Sequence, residues 1–131
     1  MTMSAPPEPI HDIAHLGRVE ILTPKPDKSL WYFREILGME VVHLQGPSVF
    51  LRGYGDHATA TIKLTDAKLP GIGCIGWRAE SPQALKRRVH AIEQAGLGAG
   101  WHDGDFGRGP AYRVNDPDGH LMEVYYEESE Y

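Results

Sequence analysis

Residues 16–38 read LGRVEILTPKPDKSLWYFREILG, and residues 74–96 read CIGWRAESPQALKRRVHAIEQAG. The first stretch opens with Val19 and Ile21 alternating with Arg18 and Glu20, the period-2 mark of a half-buried strand. Thr23-Pro24-Lys25-Pro26 stops it. Asp27 is placed to cap a helix running to about Leu37, with Leu30, Phe33 and Leu37 on one face and Gly38 at the left-handed exit. The second stretch repeats the order. Ile75, Trp77 and Ala79 alternate with Cys74, Gly76 and Arg78, Ser81-Pro82 starts a helix, Leu85, Val89 and Ile92 form its stripe, and Gly96 ends it.

Three strand candidates follow each helix. After the first come 39–44, 48–52 and 59–64; after the second come 98–102, 111–115 and 121–127, the last two joined by the Asp116-Pro117-Asp118-Gly119 turn. Val19 answers to Ile75 at an offset of 56, Leu30 to Leu85 at 55 and Gly38 to Gly96 at 58. The chain therefore reads βαβββ twice. The expected architecture is α+β: two βαβββ modules, about 14–68 and about 72–127, forming one curved mixed sheet, a half-barrel with the helices outside. The competing reading is a plain two-layer domain without a cavity. Residues 1–13, rich in proline and without apolar period, are expected to be a tail ahead of a single domain at 14–131.

The remaining totals exclude more than they identify. The chain has 131 residues, enough for one domain with a sizeable core, and 13 Lys+Arg against 18 Asp+Glu give a net charge of −5. That charge does not favour nucleic acid, and no apolar run is long enough to span a membrane. Cys74 is the single cysteine, so no internal disulfide exists. With no signal peptide evident at the N-terminus, a cytoplasmic location is expected. No nucleophile elbow or phosphate loop is present.

Alternation assigns faces. With Val19, Ile21, Ile75, Trp77, Met122, Val124, Tyr126, Ile62 and Leu64 turned to the helices, the concave side receives Arg18, Glu20, Lys63, Cys74, Arg78, Glu123 and Tyr125. Buried charge must pair, and Arg18 or Lys63 is the expected partner of Glu123. Trp101, Phe106 and Arg108 lie in or beside a glycine-rich stretch between strands.

The repeated module, the Leu37-Gly38-Met39 helix exit and the late Asp116-Pro117-Asp118-Gly119-His120-Leu121-Met122-Glu123 stretch resemble the vicinal oxygen chelate superfamily. That superfamily contains glyoxalase I, bleomycin-resistance proteins and type I extradiol dioxygenases. The strands and the Val124-Tyr125-Tyr126-Glu127 ending are most similar to the N-terminal domain of catechol 2,3-dioxygenase-type enzymes, which carries no metal while a homologous C-terminal domain holds the iron. The resemblance implies that the loop of Trp101, Phe106 and Arg108 edges the cavity and contacts a small aromatic ligand, an ordinary flexible loop being the alternative. It also implies four inward ligand positions, which fall on Arg18, Lys63, Cys74 and Glu123. Only Glu123 is a typical ligand. An Fe(II) oxygenase needs two His and one carboxylate on one face. Arginine cannot ligate, and a protonated lysine is a poor ligand.

The resemblance therefore implies a metal-free, extradiol-dioxygenase-like domain, non-catalytic alone, with no cofactor. Such a domain binds a small aromatic molecule or pairs with a partner domain; separately, the edges and apolar surface that an eight-strand sheet leaves to cover predict a homodimer. The alternative is a catechol-type ring-cleaving dioxygenase, or a glyoxalase-like metal enzyme, holding Fe(II) on Glu123 with unusual ligands such as His15 or Cys74. A third possibility is ligand sequestration across a dimer groove. His15, three residues before Arg18, is expected on the opposite face, and His120 is expected to stabilise its turn. Cys74 is read chiefly as a small buried residue.

Overall fold

The computed structural model describes residues 11–130. The chain runs β1 (Ile13–Thr23), α1 (Pro26–Trp31) continued by a π-turn (Tyr32–Ile36), β2 (Glu40–Gln45), β3 (Ser48–Arg52), β4 (Ile62–Asp66), β5 (Gly71–Ala79), α2 (Pro82–Gln94), β6 (Gly98–His102), β7 (Ala111–Asn115) and β8 (Leu121–Tyr125). The βαβββ order thus occurs twice. All eight strands form one open mixed sheet in the order β2-β3-β4-β1-β5-β8-β7-β6. The modules join at the antiparallel β1–β5 pair, and each first strand pairs in parallel with the last strand of its own module. No helix among the described residues is long and apolar enough to cross a membrane.

Local chemistry explains the second helix well. The Ser81 hydroxyl accepts the Ala84 amide at 3.0 Å, Pro82 sits in the first turn, and Gly96 takes φ +71° at the exit. The small core cluster of Ala79, Ala84 and Val124, joined by Leu85, Ile92 and Tyr126, lies between this helix and the convex face of the sheet.

The first helix departs from expectation. Asp27 lies inside the first turn, and the residue at the cap position, Lys25, gives no side-chain cap. The helix then widens, and the Leu37 amide bonds to the Tyr32 carbonyl five residues back. That wider winding shifts the angular phase of the residues beyond it. Leu37, expected in the stripe, is consequently exposed, together with Trp31, Tyr32 and Ile36.

Two other expectations need correction. The tail expected over residues 1–13 falls outside the described residues up to residue 10. Beyond it, Asp12 is buried and ion-paired with Arg87 and Arg88, and Ile13 already begins β1. His15 is not opposite to Arg18. The β1–β5 register slips at Gly17, so that Leu16 pairs with Trp77, Arg18 with Gly76 and His15 with Arg78. One extra residue inverts parity along the strand, and His15 joins the face of Arg18 at the open end of the sheet.

The glycine at the slip is required by packing. A Cβ on Gly17 would collide with the Tyr125 hydroxyl. Without a side chain the backbone lets that ring lie across it.

Candidate functional site

The concave face carries a buried layer of charge. Arg18 and Glu20 come from β1, Lys63 from β4, Cys74 from β5 and Glu123 from β8, all lining one cavity of about 40 Å³. Their register explains the convergence. Glu20 stands beside Lys63 and Cys74, and Gly76 stands between Arg18 and Glu123. These five residues are where alternation placed them.

The pairing differs from expectation. Neither Arg18 nor Lys63 pairs with Glu123. Lys63 Nζ donates to Asp105 Oδ2 at 2.9 Å, and Arg18 Nη1 lies 3.6 Å from the same oxygen. Glu123, almost fully buried, is held by Arg113, whose Nε donates to Oε1 at 2.8 Å, and by Arg108, whose Nη2 donates to Oε2. The physical reason is reach. Arg113 sits directly opposite Glu123 in the β7–β8 ladder, and the loop after β6 folds inward, carrying Asp105 and Arg108 over the cavity.

That loop is well anchored. Asp105 and Arg108 exchange backbone hydrogen bonds, with Gly107 at φ +73°. The Gly109 amide donates to Glu127 and the Ser129 amide to Gly107, both at 2.7 Å. Phe106 stacks on His43 from β2, with centroids 4.2 Å apart and planes 9° from parallel, and it also meets Phe50 from β3 at 5.2 Å. Phe50 is fully buried beneath Arg18 and Lys63. The concave side of the first module is therefore plugged by an aromatic cluster.

Three further expected residues take different places. Tyr125 is buried under the Arg108 guanidinium, 5.1 Å from it. Arg78 points to the rim, with Nε on the Tyr126 carbonyl and Nη1 3.3 Å from Glu128. Trp101 does not border the cavity. It pairs with Tyr112 on the convex face and is exposed, while its neighbour His102 reaches the lining. Sequence reasoning missed Asp105, Arg113, His102, His43 and Phe50. Alternation within 111–115, set against Glu123, was a usable signal for Arg113. The loop position of Asp105 left none.

Environment sets the chemistry of these groups. Burial pushes the Cys74 thiol up to about 12, and the nearby Glu123 charge adds to the effect. It is a neutral, packed thiol. Burial alone would raise Asp105, but the Lys63 hydrogen bond, the Phe106 amide and the Arg18 charge hold it below its ordinary value. Burial, and then the neighbouring Arg108 charge, lower Arg18.

This donor set does not fit a divalent metal. Both oxygens of Glu123 are taken by guanidiniums, and Arg18 and Lys63 stand at two other expected ligand positions. Among the described residues, the one grouping of three ligand-type atoms within 4.8 Å of one another is Asp116, Asp118 and His120 in the β7–β8 turn. There Asp116 accepts the His120 amide at 2.8 Å and faces its ring Nδ1 at 2.9 Å, the turn-stabilising role expected of His120. The cavity is also too small for an aromatic ring. About 40 Å³ holds roughly three water-sized spheres, whereas a cavity that takes up benzene measures roughly 150 Å³.

Comparison with known proteins gives consistent matches. Residues 13–124 match the family model described as Glyoxalase/Bleomycin resistance protein/Dioxygenase superfamily. The metapyrocatechase of Geobacillus stearothermophilus is 52% identical over 120 residues, which cover 92% of this chain and 37% of that protein. The manganese-dependent 2,3-dihydroxybiphenyl 1,2-dioxygenase of Geobacillus genomosp. 3 is 33% identical over 118 residues, 88% of this chain and 38% of that protein. The H200C variant of homoprotocatechuate 2,3-dioxygenase from Brevibacterium fuscum superposes with a TM-score of 0.82 at 22% identity, over 95% of this chain and 36% of that one, a likeness of fold. The chain thus spans little more than a third of the relatives it matches.

Proposed function

Because the chain belongs to the glyoxalase/bleomycin resistance protein/dioxygenase superfamily, we propose that it serves extradiol cleavage of a catechol ring as a domain of a larger dioxygenase. Of the readings left open by the sequence, the named relatives favour ring cleavage over a free-standing binding module. What speaks against a metal on Glu123 is its two guanidinium partners, not the relatives. In this proposal the Fe(II) or Mn(II) and the aromatic substrate are held by residues outside this chain, and the present domain is the partner that shapes and supports that centre. The observation that carries the reading is the clamp of Arg108 and Arg113 on Glu123, which fills the expected ligand position with an internal ion pair.

What these residues do is structural. The clamp and the Asp105 contacts to Lys63 and Arg18 neutralise charges that would otherwise be buried unpaired. The Asp105 contacts also tie the two halves of the sheet together across the cavity. The exposed apolar residues of the first helix, Trp31, Tyr32, Ile36 and Leu37, support association with a partner domain or a second copy.

The test is a chimera. This chain replaces the matching third of Geobacillus stearothermophilus metapyrocatechase, and ring cleavage of catechol is followed by oxygen uptake, beside the isolated chain incubated anaerobically with Fe(II) or Mn(II). The expected result is a turning-over chimera, with less than stoichiometric metal and no turnover in the isolated chain. A folded, metal-loaded but inert chimera would count against the proposal. Stoichiometric metal and turnover in the isolated chain, both lost in Glu123→Gln, would establish the metal-on-Glu123 alternative instead.

A further inference from the structure

Four cations, Arg18, Lys63, Arg108 and Arg113, line the concave cavity. Three carboxylates, Glu20, Asp105 and Glu123, face them. The lining therefore carries one positive charge in excess, in a place where unpaired charge is costly; Glu128, whose charge also reaches Arg18, is ion-paired with Arg78 outside the lining.

The excess has a location. Arg18 and Arg108 are each only 6% exposed, and their charges are close enough to repel. Arg18 spends Nε on the Ala60 carbonyl at 3.3 Å, while its Nη1, although 3.6 Å from Asp105, has no hydrogen-bond partner. Arg108 uses Nη2 on Glu123 and Nη1 on the Gly109 carbonyl at 3.4 Å, and its Nε is likewise without a partner. Both guanidiniums line the same small space, and each keeps one buried donor without a protein partner. A buried donor left unsatisfied costs free energy that one acceptor would recover.

We propose that this cavity is a binding site for one small inorganic anion of the halide class, held between the Arg18 and Arg108 guanidiniums. Size and charge select the ligand together. About 40 Å³ accommodates a monatomic anion but not an organic acid. Water would satisfy the donors yet leave the excess charge in place. A halide does both, and its negative charge sits where a relative with a histidine and carboxylate set would hold a cation. The inference does not depend on the catalytic proposal, since it concerns only the charges of this domain.

The test uses bromide and chloride on the purified chain. Crystals soaked in sodium bromide should show one anomalous peak in the cavity, within hydrogen-bond reach of Arg18 Nη1. Thermal unfolding in sodium chloride should lie above that in sodium gluconate of equal ionic strength, rising saturably by on the order of 3 °C when chloride is well above its dissociation constant. Arg18→Met should remove the difference between the two salts. Equal midpoints in both salts would overturn the proposal. So would a chloride effect with no bromide in the cavity, which would assign the effect to the surface. If Arg18→Met does not fold, the bromide map of the unaltered chain decides alone, a peak supporting the site and its absence refuting it.

Discussion

Lys63 Nζ lies 2.9 Å from Asp105 Oδ2, joining the last strand of the first module to a loop of the second across 42 residues of sequence. Asp105 is also the carboxylate nearest Arg18. Removing its charge leaves two cations facing a buried aromatic ring without their counter-ion. Asp105→Asn should destabilise the chain by about 3 kcal/mol, read from urea unfolding. The loss should shrink when Lys63→Met is added, because the pair is then removed together. Additive losses would mean that the contact is not coupled.

The same carboxylate gives a pH signature. Asp105 is held below its ordinary value in the folded chain, so its contribution to stability is complete above the unfolded value of about 4. It is lost as pH falls through the lower, folded value. Asp12, lowered chiefly by its Arg87 hydrogen bond, and Asp116, lowered chiefly by the His120 amide, act in the same direction. The urea midpoint should therefore begin to fall below about pH 4. Asp105→Asn should reduce the steepness of that fall without abolishing it, and an unchanged acid limb in the variant would contradict the assignment.

Gly17 and Tyr125 form a second test of packing. A methyl group on Gly17 would strike the Tyr125 hydroxyl first and the ring carbon behind it next. Gly17→Ala should cost about 1–3 kcal/mol, as overpacking does. Placed in a Tyr125→Phe background, the same change should cost less. Equal costs in the two backgrounds would show that the backbone at the bulge, rather than the ring, sets the requirement.

Cys74 should behave as a buried neutral thiol. With its pKa pushed up to about 12 and its side chain enclosed, alkylation by iodoacetamide at pH 8 should be negligible in the folded chain and complete in urea. Intact mass measured after timed quenching reads this directly. Rapid labelling of the native chain would mean that the cavity opens on the same timescale.

The architecture was legible because both modules write it in alternation and helix punctuation. Ser81, Pro82 and Gly96 bound the second helix as their chemistry requires, and 48–52, 98–102 and 111–115 are strands over the ranges read from sequence. Arg18, Glu20, Lys63, Cys74 and Glu123 share a face for the same reason. The hidden part is whatever depends on the third dimension of loops. Asp105 has no periodic neighbour to place it, so alternation alone points Lys63 to Glu123 instead. The π-turn at Tyr32–Ile36 changes the phase of Leu37 without leaving a sequence mark. Trp101 reads as a loop contact by its nearness to the glycine-rich segment, although its own alternation with His102 already sends it to the convex side.

The slip at Gly17 also bears on any attempt to build a ferrous centre into this scaffold. Counting by twos from Arg18 toward the N-terminus names the wrong residues, because the frame changes within one peptide unit. An engineer adding imidazoles to the first strand should number the two sides of that kink separately, and should find that position 15 shares the face of Arg18, exposed beyond the cavity.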